Sequence, residues 1–193
     1  VRFEYHGRKR GGLCTLYMAD EIDTTGAPIN VFMSPTKSFV LPEDGDVDII
    51  MVGPGTGIAP FRAFMEQRVY DKSKGRNWLF FGDRSQNTDN LYGAEWDSYQ
   101  KDGILNELDL AWSRDQAEKV YVQHKMLEKG SQLWNWLNDG AVFYVCGDAS
   151  RMAKDVDQAL RYIAQEEGLM SNEDAGAWVK GLQKERRYLK DVY

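Results

Sequence analysis

The chain has 193 residues, of which 42% are hydrophobic and 12% aromatic, so it is long enough to form one full domain around a sizeable core. Its formal net charge of −6 argues against a general nucleic-acid binder or a membrane-surface binder, and no apolar run approaches the roughly 20 residues of a transmembrane helix. The two cysteines, Cys14 and Cys146, lack CxxC spacing, and this usage fits a reducing cytoplasm better than a disulfide scaffold.

The segment before residue 46 differs in pattern from the rest of the chain. A glycine-containing stretch at 11–15 precedes a short apolar helix predicted over 16–22, and residues 29–33 are predicted to form a strand. We interpret residues 1–45 as the end of a preceding domain and residues 46–193 as a second domain.

From residue 46 onward, short apolar runs alternate with amphipathic stretches. Strands are predicted at 47–52, 78–81, 105–111 and 141–146, with an edge strand at 187–192. Helices are predicted at 59–70, 95–101, 120–136 with a break at Gly130-Ser131, 150–167 and 173–182. This alternation predicts an α/β fold with a parallel, five-stranded, Rossmann-like sheet covered by helices on both faces.

The most informative motif is Gly53-Pro-Gly55-Thr56-Gly57, which lies between a predicted strand and a predicted helix. Glycines permit a tight turn and the close approach of a ligand, and the N-terminus of the following helix offers unpaired N–H groups. The loop lacks the Gly-Lys-Ser/Thr ending of a P-loop, and Ile58 stands at the third glycine of the dinucleotide fingerprint. The motif therefore favours a phosphate-bearing ligand with a distinct spacing, and an ordinary strand-to-helix turn is the alternative.

Polar residues also follow the other predicted strands, at the edge of the sheet where α/β proteins bind ligands. Ser113, Arg114 and Lys119 together offer a hydroxyl, a guanidinium and an ammonium group to a phosphomonoester. Tyr121 could stack on an adenine ring, and Lys119, Tyr121 and Gln123 share one face if residues 119–123 are extended. A solvated charged loop is the alternative. The predicted strand 78–81 ends similarly, in Gly-Asp-Arg.

Cys146 ends a predicted strand directly before Gly147-Asp148, and Ser150 is predicted to cap the next helix. A small buried hydrophobic residue is a sufficient interpretation of this cysteine, since no histidine lies near it in sequence. No set of His, Cys and carboxylate residues has the spacing of a metal site, so no metal is predicted.

Four segments in order, at 53–64, 112–123, 144–149 and 187–193, resemble the C-terminal part of the diflavin reductases, within the ferredoxin–NADP reductase superfamily. The likeness spans nearly the whole chain. The segments at 77–82, 109–116 and 119–123 and the ending at 185–193 are most similar to the flavoprotein subunits of NADPH–sulfite reductases. NADPH–cytochrome P450 reductases and nitrate-reductase-linked reductases are alternatives, as is an NADP-binding fragment without activity of its own.

The resemblance implies an NADP(H) site with two phosphate-binding parts. The loop residues Gly53, Gly55, Thr56 and Gly57 would hold the pyrophosphate. The implied 2′-phosphate clamp and adenosine contacts are Ser113, Arg114, Lys119, Tyr121 and Gln123.

The resemblance also implies a hydride-transfer site. Cys146 and Asp148 match a segment near the nicotinamide, and Asp191 matches an acidic residue of the reaction centre. Tyr193 matches a terminal aromatic residue that stacks on the flavin and must move aside for the nicotinamide.

The implied flavin site is incomplete in this sequence. Gly12, Leu13, Cys14 and Thr15 resemble the FAD pyrophosphate loop, which makes residues 1–45 the end of an FAD-binding β-barrel domain and residues 46–193 an NADP(H)-binding domain. The Arg-x-Tyr-Ser motif is expected upstream of Val1, which is not an initiator Met, so we expect a fragment of a longer protein. The implied parent is a cytoplasmic, NADPH-dependent flavoprotein oxidoreductase with an FMN domain, which passes electrons to a haem protein.

Overall fold

The computed structural model describes residues 2–22, 26, 28–32, 34–36 and 38–193. The chain divides into two compact units, an N-terminal unit of residues 1–36 and a C-terminal unit of residues 37–193. The assignment of residues 1–45 and 46–193 to two named domains stays a prediction.

The N-terminal unit contains an antiparallel hairpin and a short helical segment. Strands β1 (Arg2–Tyr5) and β2 (Arg8–Gly11) pair through a turn at His6 and Gly7, both of which have positive φ angles. Helix α1 (Leu13–Leu16) follows and continues as a π-helix over Tyr17–Ile22. The helix predicted over 16–22 is therefore present, but it begins three residues earlier.

The strand predicted at 29–33 is wrong. Residues 28–32 have no regular structure, and Met33 lies outside the described residues. Ile29, Val31 and Phe32 are all exposed, and no strand in the described part of the chain pairs with them. An apolar run forms a strand only where a neighbouring strand accepts its backbone hydrogen bonds, and propensity alone does not supply that partner.

The C-terminal unit is built on a parallel, five-stranded sheet, as predicted. Its strands are β3 (Ile49–Val52), β4 (Asn77–Asp83), β5 (Glu107–Trp112), β6 (Val142–Gly147) and β7 (Tyr188–Val192). Their spatial order is β5-β4-β3-β6-β7, with all neighbours parallel. The chain winds outward from β3 in one direction and then returns to the other side, so the topological switch point lies between β3 and β6.

Helices cover both faces of this sheet. A 3-10 turn at Gly55–Ile58 leads into α2 (Ala59–Asp71), and the remaining helices are α3 (Gln86–Asp89), α4 (Gly93–Lys101), α5 (Val122–Glu128), α6 (Gly130–Asn138), α7 (Met152–Glu166) and α8 (Asn172–Lys184). The helix predicted over 120–136 is two helices, α5 and α6, and they meet at Lys129, one residue before the predicted break.

Side chains of successive strand residues point to opposite faces, and both faces are buried. On one face, residues such as Ile50, Phe80 and Val145 pack with the helices α5 to α8. On the other face, Met51 and Phe81 pack with residues of α2 and α4. Every residue of β3 is fully buried, which explains why its sequence is a continuous apolar run.

The segment that precedes β3 is fixed to the second face by aromatic side chains. Phe39 is buried, with its ring centroid 5.6 Å from that of Phe64 and 5.4 Å from that of Tyr144. The hydroxyl of Tyr144 donates a hydrogen bond to the carbonyl of Val40 at 2.8 Å, and burial raises the pKa of this tyrosine. These contacts hold residues 39 and 40 against the sheet.

Replacing Tyr144 with Phe removes that hydrogen bond while keeping the ring, so we expect the variant to lose about 1 kcal/mol of unfolding free energy. Urea unfolding measures the difference. Tyr162→Phe is the matched control, because Tyr162 is an exposed tyrosine of α7 and its hydroxyl loss should change stability by less than about 0.5 kcal/mol. Equal stability of the two variants would contradict a stabilising hydrogen bond between the Tyr144 hydroxyl and the carbonyl of Val40.

Candidate functional site

A cavity of about 470 Å³ lies at the carboxyl ends of β3, β4, β5 and β6, beside the switch point of the sheet. Residues that end or follow these strands line it, together with the start of α5. The lining residues are Pro54, Gly55, Gly82, Asp83, Arg84, Ala111, Ser113, Tyr121, Val122, Gln123, Asp148, Arg151, Met152 and Asp155.

The three glycines of the loop have different surroundings. A Cβ on Gly53 would lie 2.5 Å from the carbonyl oxygen of Gly57, and a Cβ on Gly57 would lie 2.1 Å from the carbonyl oxygen of Cys146. Both glycines are therefore required for the close packing of the loop against α2 and β6. Gly55 alone of the three lines the cavity, and its φ of +58° is one that other residues rarely adopt.

The loop presents unpaired backbone donors. The N–H of Gly57 donates to the carbonyl of Pro54 at 3.1 Å, which closes the turn. For the N–H groups of Gly55 and Thr56, the described part of the chain provides no acceptor. These donors lie at the N-terminal end of the 3-10 turn and α2, where the helix dipole adds partial positive charge, so the loop can bind an anion.

Asp148 organises the loop after β6. Its carboxylate accepts hydrogen bonds from the N–H groups of Arg151 at 2.8 Å and Met152 at 3.1 Å and from the hydroxyl of Ser150 at 2.7 Å. The hydroxyl bond to Ser150 and these backbone bonds hold the pKa of Asp148 well below its usual range. The prediction that Ser150 caps this helix is wrong, because Asp148 binds the free N–H groups and Ser150 donates to it.

The loop after β5 is anchored to its neighbours. The N–H of Ser113 donates to the carbonyl of Asp83 at 2.9 Å, which continues the β4–β5 pairing past the strand ends. Asp115 accepts from the N–H of Gln86 at 2.8 Å, a bond that lowers its pKa, and Gln116 donates to the carbonyl of Glu118 at 2.8 Å. A defined loop therefore presents Ser113 to the cavity.

Arg114 and Lys119 lie outside the lining of the cavity, although they belong to the same loop as Ser113. Both are exposed, and within the described residues neither makes an ion pair with a carboxylate. Their charges are therefore available at the rim of the site.

The alternation of Lys119, Tyr121 and Gln123 on one face required residues 119–123 to form one extended stretch. That condition is not met, because the backbone is extended at Tyr121 but helical from Val122 onward. Helix α5 begins at Val122, because the N–H of Tyr121 donates to Nδ1 of His124 at 3.1 Å and the chain turns there. Tyr121 and Gln123 still reach the cavity. Gln123 also donates to the carboxylate of Asp155 at 3.3 Å, which joins the start of α5 to α7.

Two further arginines line the cavity: Arg84, which the sequence analysis noted at a strand end without assigning it a role, and Arg151, which it missed. Arg84 follows β4 and Arg151 precedes α7, and both line the cavity from an exposed position. Neither has a carboxylate partner within the residues that the structure describes. The polar end of β4 was a signal for Arg84, but placing Arg151 required the geometry of the Asp148 turn.

Cys146, Asp191 and Tyr193 lie together beside the cavity, where β6 and β7 end. Cys146 and Asp191 are register partners in these strands. The backbone of Tyr193 is held on both sides, since its N–H donates to the carbonyl of Gly147 at 3.1 Å and its carbonyl accepts from Ala149 at 3.0 Å. The exposed ring carries its hydroxyl to 2.7 Å from Oγ1 of Thr56.

Cys146 is a buried thiol. It is 3% exposed and packs with the α2 face of the sheet. Burial, and to a lesser degree the charge of Asp191, raises its pKa to about 11, so it carries no charge at neutral pH. This environment is consistent with two interpretations of Cys146: a small buried hydrophobic residue, or an uncharged side chain that contacts a ligand.

In the N-terminal unit, the predicted flavin-binding residues form one turn. Gly12 has an extended conformation and precedes α1, which contains Leu13, Cys14 and Thr15. These three side chains are exposed. Their role toward FAD stays a prediction.

Residues 51–158 match the family model described as the oxidoreductase NAD-binding domain. The chain belongs to this family. It is 52% identical over all 193 residues to the sulfite reductase (NADPH) flavoprotein alpha-component of Escherichia coli strain K12, and equally to those of Shigella boydii serotype 4 and Shigella dysenteriae serotype 1. The chain spans 32% of the length of each of these relatives. The resemblance to sulfite reductase flavoproteins is thereby confirmed.

Among the described residues, no helix is both long and apolar enough to cross a membrane. In the same part of the chain, no group of three or more His, Cys, Asp and Glu side chains could hold a metal ion.

Gly57→Ala should destabilise the protein by about 1–3 kcal/mol or more, because the added Cβ meets the backbone carbonyl of Cys146. Gly181→Ala is the matched control. A Cβ there meets nothing within 4 Å inside α8, so the change should stabilise the protein by about 0.5–1 kcal/mol. Urea unfolding of both variants measures these shifts, and an unchanged midpoint for Gly57→Ala would contradict the packing described.

The two thiols should react at different rates. Cys14 is exposed, whereas the buried Cys146 has a pKa raised to about 11, and the thiolate is the reactive form. With a chromogenic disulfide reagent at pH 8, we expect one thiol to react fast and the second only on unfolding. The fast phase should vanish in Cys14→Ser. Two fast phases in the wild-type chain would show that Cys146 is accessible.

Proposed function

We propose that this chain is the NADPH-binding module of a flavoprotein reductase and that NADPH binds across the carboxyl ends of β3 to β6. The observation that carries the proposal is the cavity of about 470 Å³ at the switch point of the sheet. Within the described residues, N–H groups of the glycine loop have no acceptor, and the cations around the cavity have no carboxylate partner. A dinucleotide with three phosphate groups requires this combination of backbone donors and cationic side chains.

The pyrophosphate would bind at the glycine loop. The N–H groups of Gly55 and Thr56 are free within the described residues, and the hydroxyl of Thr56 adds a third donor. Gly53 and Gly57 act indirectly, since their close packing fixes the loop in this shape. Arg84 and Arg151 line the same cavity and would add positive charge near the phosphates.

The 2′-phosphate would bind at the loop after β5. Ser113 lines the cavity, and the exposed side chains of Arg114 and Lys119, which form no ion pair within the described residues, lie on the same anchored loop. Tyr121 is half-exposed at the cavity, where a planar ring can stack on adenine, and Gln123 lies beside it. The positive charges of Arg114 and Lys119 would interact with the 2′-phosphate, which NADPH has and NADH lacks, and so would favour NADPH.

The nicotinamide would lie near Cys146 and Asp191, with Asp148 fixing the turn between them and the cavity. When bound, NADPH supplies a hydride from its nicotinamide, and the flavin of FAD accepts it. The neutral thiol of Cys146 adds no competing charge at this point. The exposed carboxylate of Asp191 offers negative charge to the nicotinamide as it becomes positive, and the exposed ring of Tyr193 can move.

The parent protein would be an NADPH-dependent oxidoreductase with FAD and FMN. Gly12, Leu13, Cys14 and Thr15 would contribute to the FAD site at the end of an FAD-binding domain, residues 1–45, which precedes the NADP(H)-binding domain of residues 46–193. The relatives are named sulfite reductase (NADPH) flavoprotein alpha-components, which supports a flavin-containing parent that uses NADPH in sulfite reduction. Within this proposal, the parent is cytoplasmic and sends electrons through an FMN domain to a haem protein.

Calorimetric titration of the 193-residue chain with NADP⁺ and NAD⁺ tests the proposal. Arg114→Ala should weaken NADP⁺ binding by about 10- to 100-fold, since a hydrogen bond to a charged group contributes about 1.5–3 kcal/mol. Binding of NAD⁺ should stay unchanged. Lys180→Ala, an exposed cation on α8 far along the chain from the loop, is the control and should leave both affinities unchanged.

Two results would count against the assignment. If Arg114→Ala weakened the binding of NADP⁺ and NAD⁺ equally, Arg114 would not be a ligand of the 2′-phosphate. Failure of the wild-type chain to bind NADP⁺ at millimolar concentration would overturn the nucleotide site itself.

A further inference from the structure

The end of β4 places a carboxylate between the two phosphate-binding parts of the proposed nucleotide site. Asp83 is the last residue of β4 and lines the cavity. Strand β4 lies between β3, which leads into the glycine loop, and β5, which leads to Ser113. Neighbouring strands are about 4.8 Å apart, so a ligand that reaches from the glycine loop to Ser113 must pass over the end of β4.

The carboxylate of Asp83 has an oxygen that is not used by the fold. Among the other carboxylates of the cavity, Asp148 accepts three hydrogen bonds from its own loop, and Asp155 accepts one from the start of α5. Oδ1 of Asp83 accepts the N–H of Arg84 at 2.7 Å, but Oδ2 has no hydrogen-bond donor within the described residues. Oδ2 lies 3.8 Å from the position of a Cβ on Gly55, so it is directed toward the glycine loop.

Asp83 is also not paired with the cations of the cavity. Arg84 and Arg151 line the same cavity, yet within the described residues none of these three side chains forms an ion pair. A phosphate placed against this carboxylate would meet a like charge, whereas a hydroxyl would donate a charge-assisted hydrogen bond to it. The end of β4 therefore favours a neutral donor on the ligand.

The adenosine ribose of NADP(H) carries such a donor. The ribose joins the 2′-phosphate to the pyrophosphate, so it lies over β4 when the two phosphate groups lie at β5 and β3, and its 3′-hydroxyl is free. We propose that Asp83 accepts a hydrogen bond from this 3′-hydroxyl and so selects nucleotides with a phosphate on O2′ against isomers with a phosphate on O3′.

The inference rests on the proposed function, because it assumes that the pyrophosphate and the 2′-phosphate bind at the loops after β3 and β5. It adds a specificity-determining residue that contacts the sugar between them. The predicted contact involves one hydroxyl of the ligand. Ligands that differ only at the 3′ position therefore test Asp83 separately from the phosphate-binding residues.

The first test is calorimetric titration of the 193-residue chain with 2′-AMP and with 3′-deoxy-2′-AMP. In the wild-type chain, loss of the 3′-hydroxyl should weaken binding about 10- to 100-fold, the range for a hydrogen bond to a charged group. In Asp83→Ala the two ligands should bind equally. Asp83→Asn keeps an acceptor without the charge, so the difference should fall to about two- to tenfold. Asp97→Ala, which removes an exposed carboxylate of α4, should keep the wild-type difference.

The second test compares 2′-AMP with 3′-AMP, whose phosphate would lie against Asp83. The wild-type chain should prefer 2′-AMP. In Asp83→Asn, which removes the charge and keeps the size of the side chain, this preference should shrink by about tenfold or more, because a like charge a few ångströms away is lost. Asp97→Ala should leave the preference unchanged.

The inference is overturned if the wild-type chain binds 3′-deoxy-2′-AMP as tightly as 2′-AMP, or if Asp83→Ala and Asp83→Asn keep the wild-type difference. It is also overturned if Asp83→Asn leaves the preference for 2′-AMP over 3′-AMP unchanged. Failure of the wild-type chain to bind both NADP⁺ and 2′-AMP would instead contradict the proposed function on which the inference rests.

Discussion

The close approach of Gly57 to the carbonyl of Cys146 is the contact on which the rest of the site depends. A Cβ at this position would overlap the carbonyl oxygen, so only glycine lets the loop after β3 lie directly on the end of β6. This contact joins the loop after β3 to the end of β6, the two strands on either side of the switch point. It also fixes the position of the turn that leads into α2. The position of this turn determines the direction of the N–H groups of Gly55 and Thr56, which have no acceptor within the described residues.

Both sides of that contact carry their own organised turn. On the β6 side, the carboxylate of Asp148 binds the first N–H groups of α7, which fixes the turn that carries Arg151 into the cavity. On the β3 side, the hydroxyl of Thr56 meets that of Tyr193, whose backbone is bound to Gly147. Backbone packing thus places the groups proposed to bind a phosphate next to those proposed to surround the nicotinamide.

The fold was predictable from the sequence because the strands of a doubly covered parallel sheet are continuous apolar runs, and β3 is one of them. The failures had local physical causes. Residues 29–32 have strand propensity but no pairing partner in the described chain, and the side chain of His124 starts a helix where alternation suggested an extended segment. The different roles of Gly53, Gly55 and Gly57 depend on neighbours distant in sequence, such as Cys146, so spacing could not distinguish them. Arg151 was missed for the same reason, since only the folded turn brings it to the cavity.

The central claim is that one nucleotide spans the cavity, with its pyrophosphate at the glycine loop and its 2′-phosphate at the loop after β5. A crystal structure of the chain with NADP⁺ tests it most directly. We expect the pyrophosphate within hydrogen-bond distance of the N–H groups of Gly55 and Thr56, and the 2′-phosphate in contact with Ser113 and Arg114. A nucleotide bound elsewhere on the chain, or one whose 2′-phosphate points into solvent away from Ser113, would contradict the account.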